Sequence, residues 1–228
     1  RGPRGSVPEI EPAGARPALC WQLNWHVPFS LSIVAIILTY VWVFEPTAEG
    51  AARVAPAALV VSLTIAHAVK TGEWGFRGDA FLPGLIAAAW TTAIGVALIL
   101  AAGEFLGTLH PRRGVGRSIL YLLPWAGGQQ FALQTVVFHE ARRWMPRGAA
   151  IVVAAAIFGI VHLPNPLLAP LTFASALVWC WIYSRYPNIL PLAISHSVGT
   201  EAVQHAFDDE ITGRLRIGYA YVRFALGE

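Results

Sequence analysis

Residues 148–184, "GAAIVVAAAIFGIVHLPNPLLAPLTFASALVWCWIYS", contain no Lys, Arg, Asp or Glu. A bilayer core about 30 Å thick takes ~20 mainly apolar helical residues, so this interval is long enough for two crossings. The break between them falls in "HLPNPLLAP", residues 162–170. Pro164, Pro166 and Pro170 cannot continue a helix smoothly and favour a turn. The stretch therefore predicts a helix over 148–163, a turn, and a second helix over 167–184.

The same reasoning extends outward, because the intervals 17–44, 54–69, 80–103, 118–139 and 186–200 are also free of charged residues. Together they predict seven helices, at roughly 27–44, 54–70, 80–103, 118–138, 148–163, 167–184 and 188–207. The expected fold class is all-α, a polytopic membrane bundle of about seven transmembrane helices. Composition agrees: of 228 residues, 56 % are hydrophobic and 13 % charged, with a mean hydropathy of +0.55, outside the usual range of a soluble domain. The runs argue against the strands of an outer-membrane barrel, since they are continuously apolar over helix lengths and do not alternate. The net charge of +3 is spread over loops, with no basic run to engage nucleic acid. Lys and Arg divide almost evenly between the two sides, which leaves orientation open. Cys20 and Cys180 suggest neither a disulfide framework nor a metal site.

Four regions follow. Residues 1–26, rich in Pro, Gly and Arg, read as a flexible arm ending in an interfacial segment with Trp21 and Trp25, unlike a cleavable signal peptide. Residues 27–117 hold accessory helices, and 118–207 hold a core with most of the embedded polar groups. Residues 208–228 form a polar-aromatic tail, too charged to span and expected on the membrane surface.

Polar side chains inside spans are costly and are functional candidates by default. The fourth helix carries Gln129, Gln130 and Gln134, followed by His139 and Glu140; the fifth ends in "FGIVH", residues 158–162; the seventh reads "LAISHSVGTEAVQHAF", residues 192–207. Glutamines also glue membrane helices together, and His67 alone reads as a satisfied interior group. His139 and Glu140, with Arg142, Arg143 and Arg147, read as an interfacial helix end whose cations snorkel to headgroups. "HEARR" is not a zinc-protease signature, because Arg143 stands where the second histidine belongs. Phe158 with His162, and His196 with Thr200, are each spaced i, i+4, so each pair shares a helix face. Three helices then converge on one place.

This pattern resembles the CPBP family of intramembrane proteases, which includes the type II CaaX prenyl endopeptidases. The family pattern has an adjacent Glu-Glu with an Arg four residues after the second Glu, a Phe-x-x-x-His ending a later helix, and a His-x-x-x-Asn on a final helix. Here the corresponding stretches are "QQFALQ", "FGIVH" and "HSVGT". Phe158 and His162 fit; His196 is kept while Thr200 replaces the Asn; Gln129, Gln130 and Gln134 replace Glu, Glu and Arg. The resemblance implies an integral protein of a bacterial cytoplasmic membrane that needs no cofactor. It also implies a membrane-embedded or membrane-anchored peptide substrate, cleaved by water attack, with membrane lipid as the other partner and no nucleic acid. Gln129, Gln130, His162 and His196 would be the catalytic set, supported by Gln134, Phe158, Thr200 and Glu201. Two histidines without a third ligand make a weak zinc site.

A carboxylate can accept a proton from water, whereas a neutral amide cannot. Replacing both Glu and the Arg together removes charge coherently and leaves a neutral hydrogen-bonding ladder, with Gln130 and Gln134 one turn apart. Glu201 is the nearest substitute carboxylate in sequence, about 140° around its helix from His196; Glu140 lies at the far end of its own. Two functions remain open: an atypical CPBP-type intramembrane endopeptidase, or a non-catalytic pseudoprotease that binds membrane peptides. A transporter is a weaker third reading, for want of repeat symmetry.

Overall fold

The computed structural model describes residues 26–45, 54–111 and 113–227, and is all-helical apart from one isolated bridge between Phe76 and Asn188. Residues 1–25 of the expected arm, with Cys20, Trp21 and Trp25, lie outside the described residues. The helices are α1 (His26–Thr39, continued by a π-helical turn Tyr40–Phe44), α2 (Ala55–Thr71), α3 (Phe81–Leu106), α4 (Val115–Phe131), α5 (His139–Trp144), α6 (Arg147–Ile160), α7 (Leu168–Tyr183), α8 (Ile189–Ala206), α9 (Asp209–Thr212) and α10 (Gly218–Ala225). Seven of these fall where the charge-free intervals predict helices. The largest departure is at the fourth, where a π-helical stretch, Ala132–Phe138, joins α4 to α5 and carries the helical path on to Trp144.

Among the described residues one helix, Gly78–Leu106 including its leading 3₁₀ turn, is long and apolar enough to cross a membrane unaided. Leu31–Phe44, Ala55–Thr71, Arg147–Ile160 and Leu168–Tyr183 are apolar but shorter. On α3, Leu82, Ile86, Trp90, Ile94 and Leu98 are spaced four apart and all more than half exposed, whereas its inward face carries the buried Gly84, Ala88 and Gly103. Large apolar residues outside and small ones inside invert the pattern of a soluble helix and suit a lipid-facing one.

The small residues let α3 lie against α8. Thr92 meets Ser195, 103 positions apart in sequence, and a Cβ on Gly103 would collide with the backbone of Ala206. Both contacts have the same offset, so α3 and α8 run parallel and in register. Their starts are fastened together by the loops preceding them. Asn188 caps α8 by accepting from the Leu190 amide at 3.0 Å and donates to the Arg77 carbonyl at 2.8 Å. The Ile189 amide donates to the Gly75 carbonyl at 2.8 Å. Gly75 has φ of +71° and is hemmed by Ile189, Thr135 and Tyr183, so a side chain there would be both strained and obstructed. α4 packs along α8, and α6 along α7, around a core that includes Leu133, Val137, Phe158, Trp179, Ile182 and Leu192.

The tail is tied to the bundle by hydrogen bonds. Asn165, in the turn between α6 and α7, is fully buried and makes four hydrogen bonds. It accepts from the Leu167 and Leu168 amides at 3.1 and 2.9 Å, and donates to the Thr212 and Arg216 carbonyls at 2.8 and 3.0 Å. The Gly218 amide also donates to the Leu163 carbonyl at 2.8 Å. These bonds draw residues 212–218 back onto the bundle beside His162.

Candidate functional site

Gln130 and Gln134 are fully buried. Gln134 lies inside the π-helical stretch, a local widening of the helix often found at functional sites. Its amide N–H donates to Gln130 Oε1 at 3.1 Å, and the Gln130 amide N–H donates to His196 Nδ1 at 3.4 Å. The expected ladder therefore forms, and it ends on a histidine. With Nδ1 accepting, the neutral His196 ring carries its proton on Nε2.

His162 has the opposite arrangement. Its Nδ1 lies 2.6 Å from the carbonyl oxygen of Phe158. A carbonyl can only accept, so Nδ1 bears the proton and Nε2 presents a lone pair. Phe158 packs against both imidazoles, with ring centroids 4.8 Å from His162 and 6.0 Å from His196, edge-on to the latter. One ring thus offers an acceptor and the other a donor, with the same apolar ring against each.

Trp179, which no sequence motif singles out, stacks on His196 at 4.7 Å with a 32° tilt. Its indole N–H donates to Ser195 Oγ at 3.0 Å, and Thr92 of α3 donates to the same oxygen at 2.6 Å. A sequence signal for Trp179 existed only in hindsight of the fold: it follows His162 on the next helix of a tightly packed pair, where an aromatic must stack on something.

Other expected residues sit apart. Gln129 is half-buried, and among the described residues no side-chain hydrogen bond links it to the ladder. Thr200 donates to the His196 carbonyl of its own helix at 3.0 Å, so its hydroxyl proton is already engaged. Glu201 is buried but accepts from Ser118 at 2.5 Å, and Glu140 is bound to His67 at 2.8 Å. Neither carboxylate bonds to His162 or His196.

Glu140 also differs from the interfacial helix end expected of it. It is buried, with Arg143 at 3.8 Å, and the His67 ring that holds it lies 5.8 Å from that of His139. His139 Nδ1 is 3.9 Å from Glu73, which accepts from the Tyr183 hydroxyl at 2.5 Å. α2, the loop after it, α5 and α7 thereby meet in a second polar cluster. Single polar residues in four distant segments give no sequence pattern that would have revealed it.

The sequence pattern of the family described as Type II CAAX prenyl endopeptidase Rce1-like matches residues 119–200. That segment contains the glutamine ladder, Phe158, His162, Trp179, His196 and Thr200. Neither the curated proteins nor the solved structures offer a match to the chain. The match over residues 119–200, which holds both imidazoles, supports membership of the CPBP family, to which the type II CAAX prenyl endopeptidases belong.

Proposed function

We propose that the protein is a multi-pass intramembrane endopeptidase of CPBP type with an atypical, carboxylate-free site, acting on membrane-anchored peptides or C-terminal tails. The observation that carries this reading is the opposite pairing of the two imidazoles packed on Phe158, with His196 Nδ1 against the Gln130 amide nitrogen and His162 Nδ1 against the Phe158 carbonyl oxygen. His162 Nε2 takes a proton from a water molecule as the water oxygen attacks the scissile carbonyl. His196 Nε2–H donates to the oxyanion that forms, and the glutamine ladder keeps its Nδ1 in the accepting role. Collapse of the tetrahedral intermediate breaks the C–N bond, and the proton held by His162 passes to the leaving amine. General acid–base catalysis of this kind contributes roughly 10²–10⁴-fold, and a donor at the oxyanion roughly 10²–10³-fold.

The membrane setting is supported by the family match and by the exposed apolar ridge of α3. The shorter apolar helices would complete the crossings. The test is cleavage of membrane-anchored peptide tails by the purified full chain in liposomes, compared with His162→Ala and His196→Ala. Wild-type cleavage that drops at least a hundredfold in both variants is the expected result; undiminished cleavage in both overturns the assignment. Tight peptide binding by the wild type, with no cleavage of any tail, instead supports the pseudoprotease reading.

A further inference from the structure

We propose that Thr92, Ser195 and Trp179 are positioning residues that fix the ring plane of His196, which makes α3 a working part of the site although it lies outside the matched segment. The proposal rests on the reading of His196 as the donor to the substrate carbonyl. The ladder alone holds His196 loosely, since the Gln130 contact is long at 3.4 Å. The stacked indole at 4.7 Å is the larger constraint on the ring plane. The indole in turn can rotate about its side-chain bonds unless its N–H is anchored, and the anchor is Ser195 Oγ at 3.0 Å.

Ser195 precedes His196 on α8 and projects about 100° around the helix from it. The Trp179 indole bridges these two directions, bonded to one side chain and stacked on the next. Thr92 sets the last degree of freedom. By donating to Ser195 Oγ at 2.6 Å it holds that hydroxyl in the rotamer that faces the indole. Its behaviour is unlike that of six other helical threonines. Thr64, Thr71, Thr91, Thr135, Thr172 and Thr200 all donate back to carbonyls of their own helix. Thr92 instead reaches across to a different helix, at the level where α3 and α8 are brought close by the small residues of α3. Ser195, Trp179 and His196 are buried and Thr92 is half-buried, so the inner part of the relay is shielded from competing water.

The experiment uses the full chain with ¹⁵N-labelled histidine in detergent, with His196 assigned by His196→Gln, and reads the ring nitrogen shifts together with kcat and KM on a cleaved tail. Thr92→Val is expected to move the His196 shifts toward a mixture of tautomers and ring positions and to lower kcat about tenfold, the scale of one lost buried hydrogen bond. KM stays within about twofold, and Thr92→Ser restores both readouts. Thr91→Val, whose hydroxyl serves only its own helix, leaves both unchanged. Unmoved His196 shifts in Thr92→Val overturn the proposal, as does a Thr92→Ser variant no better than Thr92→Val. Should the wild type cleave nothing, the peptidase reading fails, and the His196 shifts still decide the relay.

Discussion

Each imidazole of the site is assigned its role by one neighbour that can act in only one way. The Phe158 carbonyl accepts and never donates, so it fixes the proton of His162 on Nδ1. Gln130 is the partner for His196 and for Gln134 at once. Gln130→Leu keeps the volume but leaves Gln134 and His196 Nδ1 without that partner in a buried place. We expect a loss of about 1–3 kcal/mol, read as a lowered midpoint in thermal unfolding in detergent. Gln130→Glu alone places a carboxylate against Gln134 where the family pattern has an Arg. We expect it to be less stable than wild type and to regain stability when combined with Gln134→Arg; equal midpoints for the single and double variants would refute the idea that the ladder replaces an ion pair.

At the scale of elements, the register of α3 on α8 depends on Gly103, whose missing side chain allows the Ala206 backbone to approach. Gly103→Ala must push the two helices apart at that end. A destabilisation of about 1–3 kcal/mol is expected from overpacking of this kind. Ile94, near the middle of the exposed ridge, faces the other way. Ile94→Lys should cost roughly 2.5–3.5 kcal/mol of membrane insertion and reduce the membrane-integrated fraction without disturbing the α8 contact; full integration of that variant would count against α3 as a lipid-facing span. The helices themselves were legible in the sequence, because the cost of charge in hydrocarbon leaves a one-dimensional record in intervals free of Lys, Arg, Asp and Glu. Gln130, Gln134, Phe158, His162 and His196 were legible too, since i, i+4 spacing survives folding. Thr92, Ser195 and Trp179 were not. Nothing in a single sequence distinguishes a threonine that bonds its own helix from one that bonds another, and the π-helical turn at Gln134 shifts side-chain directions in a way that 3.6-residue periodicity does not anticipate.

Over the whole molecule, two tertiary fasteners act far apart. Asn165 holds the C-terminal segment against the turn that follows His162. Asn165→Ala would expose two carbonyls and two amides together, and hydrogen exchange should rise in residues 163–168 and 212–218 while α3 stays protected. Exchange unchanged in either segment would show that other contacts suffice. The other fastener is the 2.5 Å bond between Ser118 and Glu201, one position outside each end of the matched segment. The core thus begins and ends at one place, like a closed clasp. Anything attached before residue 118 or after residue 201 joins at that clasp without lengthening the path between the ladder and the histidines. The core is thus a closed loop of chain, and α3, which comes before the clasp, enters it only from the side, through Thr92 and Gly103 against α8.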